Sequence, residues 1–262
     1  MARKLLFCAL AISIYSDVAG QWEKVKTVDL DKNYASYAID GQANIYVGFD
    51  DGSLVKYGPT GNEILNYSLS NQSPPSLIEP QFQLKTFVFY FDNQFITILD
   101  RFKTVPKTYP MREFTDGIVS MACPSPDGNM WIAENNPLVL KKVDLIRKNL
   151  ILETQPKLGN KIKFMKAYQN ILLVLDENGL SIFDQFGGLM HQFRLNANHF
   201  TVDKELVYIF DFRNVKVIDP FSGRIVTESA IPSDIKPDDI VCTSSRIISF
   251  QENMMTVYQS SK

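Results

Sequence analysis

The fold of this chain is indicated by one short segment, residues 171–187, whose sequence is ILLVLDENGLSIFDQFG. Two apolar runs, rich in β-branched and aromatic residues, stand on either side of the polar turn Asp176-Glu-Asn-Gly179, and such a pattern predicts a β-hairpin. The second run ends at Asp184, and Gly187 follows it. Because an Asp side chain bonds nearby backbone amides and Gly accepts a positive φ angle, we expect a second turn here, leading into a further strand.

The same pattern recurs along the rest of the chain at intervals of about 41 residues. An aspartate follows the second apolar run in four of the repeats, and we interpret these aspartates as turn formers. The first apolar runs begin at Ile45, Phe87, Met130, Ile171, Leu206 and Ile247, and the four aspartates are Asp100, Asp144, Asp184 and Asp219. A repeat of this length with four short strands is typical of one blade of a β-propeller.

Six such repeats account for residues 21–262 as a single domain, so we predict an all-β, six-bladed β-propeller. The sixth repeat ends at Lys262, directly after its third strand, while residues 22–30 at the other end of the domain form an additional strand-like segment. We therefore expect this N-terminal strand to complete the last blade, which closes the ring and removes an exposed sheet edge. A solenoid or a sandwich is the alternative, and neither needs this closure.

Residues 1–20 have the three-part layout of a secretory signal peptide. Arg3 and Lys4 precede an apolar run at residues 5–15, and small residues follow up to Gly20, after which we expect cleavage. The run of about 11 residues is too short to span a bilayer. We expect an exported mature chain without a transmembrane segment, located in a periplasm, at an outer membrane or outside the cell. The alternative is an ordinary buried strand or helix at the start of the domain.

Composition narrows the classes of function and partner. The chain is 45% hydrophobic, which excludes a disordered protein, and its formal charge of -2 lacks the basic excess of a nucleic-acid binder. We found no zinc-protease, CxxC or glycine-rich phosphate motif, so neither a metal nor a cofactor is predicted.

Cys123 and Cys242 fall on inner strands of opposite blades, so we predict two free, buried thiols, with a long-range disulfide as the alternative.

One segment carries a more specific resemblance. Residues 125–134, SPDGNMWIAE, resemble the P-D-G-x-x-W-x-x-E segment of streptogramin-lyase-like blades, and the blade period is similar to that of NHL-repeat propellers. The tight Asp-Gly turn between the first and second strands of a blade accounts for this segment, so the segment implies a shared fold and not a shared activity. Streptogramin-lyase-like enzymes use a histidine as general base beside a bound metal. The resemblance thus gives an alternative function, a lyase- or hydrolase-like enzyme in the central channel around His199, assisted by Asp203 or Glu134. His191 falls on an outer strand, away from the channel.

The turns between the second and third strands of each blade should lie on one face of the propeller. They combine acidic and amide side chains, which would steer a basic partner or bind a cation or a sugar. The alternative is that Asp, Asn and Gly are there because they make tight turns. The candidate binding residues are Asp50, Asp51, Asp92, Asn93, Glu134, Asn135, Asp176, Glu177, Asp211, Phe212, Arg213 and Glu252, with Phe212, Phe114 and Tyr109 as apolar anchors.

These observations favour an exported, non-catalytic propeller that serves as a binding or scaffolding module. Its expected partner is a protein or glycan of the cell envelope, and the chain is a candidate subunit of a larger complex. A third class of function is a structural subunit with a permanent partner on its side. That class predicts a contiguous apolar patch on the outer strands, around Val105, Tyr109, Leu150 and Leu152.

Overall fold

Six four-stranded antiparallel sheets form the architecture of the chain in a computed structural model. The structure describes residues 22–68, 73–81, 85–100, 106–135, 137–231, 235 and 239–260. The signal peptide expected at residues 1–20 therefore lies outside the described residues. Each sheet is one blade, and the first strands of neighbouring blades contact each other around the central channel, as β2 (Tyr34–Ile39) does with β6 (Leu77–Gln81).

The strands of blades 1 to 5 follow the chain from the inner to the outer edge of each sheet. Blade 1 is β2, β3 (Ile45–Phe49), β4 (Leu54–Tyr57) and β5 (Glu63–Tyr67); blade 2 is β6, β7 (Lys85–Tyr90), β8 (Phe95–Asp100) and β9 (Lys107–Pro110); blade 3 is β10 (Val119–Pro124), β11 (Met130–Glu134), β12 (Val139–Val143) and β13 (Leu150–Thr154). Blade 4 is β14 (Ile162–Tyr168), β15 (Ile171–Asp176), β16 (Gly179–Asp184) and β17 (Leu189–Arg194), and blade 5 is β18 (Phe200–Asp203), β19 (Leu206–Asp211), β20 (Asn214–Asp219) and β21 (Arg224–Ala230).

Blade 6 is assembled from both ends of the domain, which confirms the predicted closure. Its strands are β22 (Asp239–Cys242), β23 (Arg246–Gln251), β24 (Met254–Ser260) and, outermost, β1 (Trp22–Asp29). β1 and β24 are antiparallel, with Trp22 opposite Ser260 and Asp29 opposite Met254. The N-terminal strand thus covers the edge that β24 would otherwise expose.

Burial falls from the middle of each blade to its outer edge. Every residue of β3, β11 and β15 is buried, because these second strands are covered on both faces by neighbouring blades. Every residue of β21, an outer strand, is exposed. Trp131 of the segment 125–134 is buried in β11, and the turn before it is closed by the Gly128 amide donating to the Ser125 carbonyl at 3.0 Å. This segment therefore serves the fold.

Asp144, Asp184 and Asp219, which follow or end the third strands, hold tight turns as predicted, while the residues directly after Asp100 lie outside the described part of the chain. The Asp184 Oδ1 atom accepts hydrogen bonds from the amides of Phe186 at 2.8 Å and Gly188 at 2.9 Å. The Asp219 Oδ1 atom accepts a hydrogen bond from the Phe221 amide at 3.0 Å, and the hydrogen bond from the Ser222 hydroxyl, followed by those from the backbone, lowers the pKa of the Asp219 carboxyl.

These turns also join neighbouring blades. Gly223 has a φ of +67°, and a Cβ at this position would lie 2.3 Å from the His191 ring of blade 4. The His191 Nε2 atom is 3.1 Å from the Phe221 carbonyl oxygen. His191 is therefore on the outer strand β17, where the sequence placed it, and it contacts the turn of the next blade.

Cys123 and Cys242 are both buried and free, which confirms the prediction of two unpaired thiols. Burial raises the pKa of the Cys242 thiol to about 12, so this group is protonated at neutral pH. In the described part of the chain, no helix has the length and apolar character needed to cross a membrane.

Candidate functional site

The end of the propeller that carries the turns between second and third strands is called the upper face below. Since strands alternate in direction, the connections from each outer strand to the next blade emerge at the same end. The candidate residues Asp50, Asp92, Glu177, Phe212 and Glu252 all lie in these turns. The channel mouth and the turns therefore share one surface.

Three of the predicted carboxylates on this face are buried and hold the structure together. Glu134 pairs with the Lys141 Nζ atom at 2.9 Å and accepts a hydrogen bond from the Thr115 hydroxyl. Asp211 pairs with the Lys216 Nζ atom at 2.7 Å. The Asp176 carboxylate accepts bonds from the backbone amides of Gly159 and Asn178, both at 2.6 Å.

The remaining candidate side chains are exposed. Asp51 contacts the Lys32 Nζ atom at 2.6 Å, and this hydrogen bond, with those from Ser53, lowers the pKa of the Asp51 carboxyl to about 2. Glu177 accepts a bond from the Asn160 amide at 2.9 Å. The other exposed candidates are Asp50, Asp92, Asn93, Asn135, Phe212, Arg213 and Glu252. The turns of the upper face are therefore less acidic than their sequence suggests, because lysine side chains pair with some of their carboxylates.

Two of the three predicted aromatic anchors are not exposed, and that prediction was wrong. Phe114 is buried because the short 3-10 helix Met111–Glu113 turns the chain inward, with the Phe114 amide donating to the Met111 carbonyl at 2.9 Å. Tyr109 is partly buried and packs on Phe114, with ring centres 6.5 Å apart. Phe212 does remain outside, with 72% of its surface exposed.

The outer strands do carry exposed apolar side chains, and of the described members of the predicted patch only Leu150 is among them, since Tyr109 is partly buried. Leu150 is 51% exposed, whereas Leu152 packs against the core and Val105 lies outside the described residues. Further exposed apolar residues lie on β13, β17 and β21, namely Ile151, Leu189, Met190, Ile225 and Val226.

His199 lies at the channel mouth, just before β18, as the sequence predicted. Its ring is held between those of Phe164, 4.0 Å away, and Tyr37, 4.9 Å away. Burial, with a contribution from the charge of Lys166, lowers the pKa of His199 to about 3, so the imidazole is neutral at pH 7. Both ring nitrogens are buried, and neither has a hydrogen-bond partner among the residues that the structure describes.

The acids offered as helpers of His199 are engaged elsewhere. Asp203 ends the strand that starts beside His199, about 13 Å further along at the usual rise per residue. Its Oδ2 atom accepts a bond from the Ser244 amide at 2.9 Å. Glu134 is paired with Lys141. The structure therefore brings neither Asp203 nor Glu134 to His199, as the alternative of an enzyme in the channel required.

Two adjoining pockets, of about 140 and 190 Å³, open at the channel mouth. Both are lined by Tyr37, Asn198, His199 and Asp239, and only His199 was singled out from the sequence. The other three come from blades 1 and 6 and from the connection between blades 4 and 5. Asn198 precedes an inner strand, Asp239 begins one and Tyr37 lies within one, and no sequence motif connects the three.

Hydrogen bonds fix the polar wall of these pockets. The Asp239 carboxylate accepts bonds from the Asn198 Nδ2 atom at 3.3 Å and the Tyr34 hydroxyl at 3.4 Å. The Tyr37 hydroxyl also bonds to Asp239, and burial first, then this carboxylate, raises the pKa of Tyr37 well above its usual value. Hydrogen bonds to Asp239 of blade 6 therefore connect this blade to blade 1 and to the connection between blades 4 and 5.

A third cleft, of about 400 Å³, lies at the opposite end of the propeller, between blades 2 and 3. Lys85, Asp100, Lys107, Tyr109 and Ile146 line it. Two of its lining residues, Lys85 and Asp100, are sequence neighbours of residues that the structure does not describe. Across the described ranges, no group of three or more His, Cys, Asp or Glu side chains is arranged to hold a metal ion.

Comparisons with known proteins establish the fold. No family model matches this chain, and no curated protein matches it. Solved structures do: the β-propeller domain of Cps50 (Swd1) from Myceliophteria thermophila has a TM-score of 0.63 at 11% identity and covers 92% of this chain and 100% of that one. A catalytically inactive virginiamycin B lyase from Staphylococcus aureus, solved with quinupristin, has a TM-score of 0.63 at 12% identity, covering 92% and 99%.

The WD40 domain of Neurospora crassa Pan2 has a TM-score of 0.63 at 8% identity, covering 92% of this chain and 96% of that one. At these identities the similarity shows a shared propeller fold. The matched structures include a lyase, which agrees with the resemblance inferred from the sequence, and a WD40 domain. Function must therefore be argued from the surfaces of this chain.

Proposed function

We propose that this chain is an exported, non-catalytic binding module that holds a partner on its upper face. The observation that carries the proposal is the composition of that face. Exposed Asp50, Asp92, Glu177 and Glu252 surround a channel mouth at which Phe212 is 72% exposed. An exposed aromatic side chain within a polar rim is typical of a protein-binding surface.

The buried ion pairs support this role because they make the face rigid. Lys141 and Lys216 anchor Glu134 and Asp211 on the rim, and Asp176 binds the backbone of its own turn. Little conformational entropy is then lost when a partner binds. The propellers with similar folds include domains named as WD40, and such a disc is well suited to present loops to another protein.

The compartment and the partner are inferred from the sequence. The signal-peptide pattern of residues 1–20 points to export, and the partner we propose is a protein or glycan of the cell envelope. The exposed carboxylates favour a partner with a basic contact surface.

Affinity capture of the tagged protein from its native envelope fraction tests this proposal. We expect a stoichiometric partner that is lost as salt rises, and lost with the triple variant Asp50→Lys, Asp92→Lys and Glu252→Lys. These three side chains are exposed, and none forms part of the buried ion pairs. The matched control is the triple variant Glu23→Lys, Glu63→Lys and Glu205→Lys, since these exposed acids lie toward the opposite end. If both triple variants retain the partner, the upper face is not the binding site.

A second candidate is a partner on the side of the disc. Leu150, Leu189 and Ile225 are each about half exposed on successive outer strands, at 51%, 57% and 48%. A partner held there would survive moderate salt, because apolar contacts are not screened. The double variant Leu189→Asp and Ile225→Asp should lose this partner. The variant with the charge-reversed upper face should still bind it.

A further inference from the structure

The smaller of the two channel-mouth pockets combines aromatic and amide side chains. Tyr37, Phe210 and Phe212 supply aromatic surface, and Asn196 and Asn198 supply amide groups. Its volume is about 140 Å³. An enclosed cavity of about 150 Å³ holds benzene. Because this pocket opens at the channel mouth, it can take one ring whose substituents project outward.

The polar groups of this pocket can both donate and accept hydrogen bonds. Each Asn side chain has a carbonyl oxygen and an amide nitrogen, and Asp239 contributes a carboxylate held in place by Tyr34 and Asn198. The backbone of Asn196 is fixed as well, because its amide donates to the Asp211 carboxylate at 3.0 Å. A ligand that meets this wall must itself donate and accept.

His199 provides an independent indication of a polar ligand. Both of its ring nitrogens are buried at the pocket wall, and the described residues offer them no hydrogen-bond partner. A neutral imidazole has one donor and one acceptor. Buried polar atoms are paired in most proteins, so an unpaired couple beside a pocket points to a hydrogen-bonding molecule that enters it.

Phe212 adds a second indication. It occupies the first position of the two-residue turn between β19 and β20, with a φ of +58°. Glycine is favoured in this conformation, and a bulky residue there is strained. Glu252 holds the same position of the equivalent turn in blade 6, with a φ of +50°, so this geometry belongs to the hairpin, and Phe212 is distinguished by its exposed ring. An exposed aromatic ring at the rim of a pocket has the position of a stacking platform.

We propose that this pocket binds one pyranose ring of a glycan. The hydroxyl groups of a sugar donate and accept, as the wall of Asn196, Asn198 and Asp239 requires, and the C–H face of the ring packs on Phe212. The Asp239 carboxylate already accepts from Tyr34 and Asn198, and the amide donors of Asn196 and Asn198 favour a hydroxylated ring over an ammonium group, which has no acceptor to offer them. The pocket lies on the upper face and shares Phe212 with it, so this inference rests on the proposed function; the charge-reversed triple variant leaves Phe212, Asn196 and Asn198 unchanged, so the capture experiment and the sugar-binding test can fail independently.

Saturation-transfer NMR on the purified protein tests the site. The probes are the methyl glycosides of glucose, galactose, mannose and N-acetylglucosamine at millimolar concentration. We expect transfer to at least one of them, reduced at least fivefold in Phe212→Ala and in Asn198→Ala. Phe186→Ala is the matched control, because Phe186 is also exposed, at 71%, but lies on a turn at the opposite end. It should leave the signal unchanged.

The other outcomes overturn the proposal. Transfer to none of the four glycosides, or equal transfer in Phe212→Ala and Phe186→Ala, would mean that no sugar is bound here. Binding of n-butylammonium that competes at the same residues would identify a pocket for a basic side chain instead. Circular dichroism of each variant establishes that a lost signal is not lost folding.

Discussion

At the scale of single residues, the carboxylates of the upper face differ more than their similar sequence positions suggest. Asp92 is exposed, while Asp176, at a comparable turn, is 1% exposed and surrounded by backbone amides. The pattern of Asp, Asn and Gly predicted the turns but not which charges remain outside. Burial depends on packing partners such as Gly159, which follows the preceding blade.

Asp176→Ala should therefore destabilise the fold more than any exposed acid. The substitution leaves the buried amides of Gly159 and Gly179, and the partly buried amide of Asn178, without an acceptor. We expect a loss of roughly 2–3 kcal/mol in the free energy of unfolding, measured by urea denaturation. Asp92→Ala is the control and should change it by less than about 0.5 kcal/mol. Equal losses would show that the Asp176 carboxylate is not the anchor of its turn.

His199 makes stability depend on pH. Its pKa is about 3 in the folded chain, against 6.5 in a solvated one, so the unfolded state takes up the proton first as pH falls. The folded state then loses stability between about pH 6.5 and pH 3, by at most about 1.4 kcal/mol per pH unit. Urea midpoints across this range should fall less steeply for His199→Asn than for the wild type. Parallel curves would contradict the buried, neutral ring.

At the scale of strands and blades, the sequence predicted the architecture because its pattern of apolar runs and turns repeats regularly. Alternating apolar runs and turn residues predicted a hairpin in each blade, and the order of strands predicted the closure by β1. The 3-10 helix Met111–Glu113 was missed, since three residues produce no periodic signal. Because this helix was not predicted, Phe114 was expected to be exposed, whereas it is buried.

The role of β1 can be tested by truncation. A chain that begins at Leu30 loses the outer strand of blade 6 and exposes the edge of β24. We expect a lower thermal midpoint and self-association in size-exclusion chromatography, relative to a chain that begins at Gln21. A monomeric truncated protein with an unchanged midpoint would mean that β1 does not close the ring.

Inside the channel, Lys166 of β14 reaches Glu79 of β6, with the Nζ and Oε1 atoms 2.5 Å apart. This pair joins blades 2 and 4, and the two side chains are only 18% and 12% exposed. Removing one partner leaves a largely buried charge, so Lys166→Met alone should cost roughly 3 kcal/mol. Combining it with Glu79→Leu should cost less than the two single losses together, as a double-mutant cycle measures. Strict additivity would show that the pair is not coupled.

At the scale of the whole molecule, the fold could be predicted and the pocket could not. Tyr37, Asn198 and Asp239 are far apart in sequence and meet only because the ring brings blades 1 and 6 and the connection between blades 4 and 5 around one channel mouth. No local pattern identifies such a site. The upper face as a surface followed from topology, whereas its pockets and ion pairs followed from packing between blades.

The central claim is that the upper face is where this propeller binds its partner. Hydrogen–deuterium exchange of the protein with and without the partner captured from the envelope tests it directly. We expect slowed exchange in peptides that cover residues 50–53, 91–94, 211–214 and 251–254. Slowed exchange confined to β13, β17 and β21 would contradict the claim and place the partner on the side of the disc.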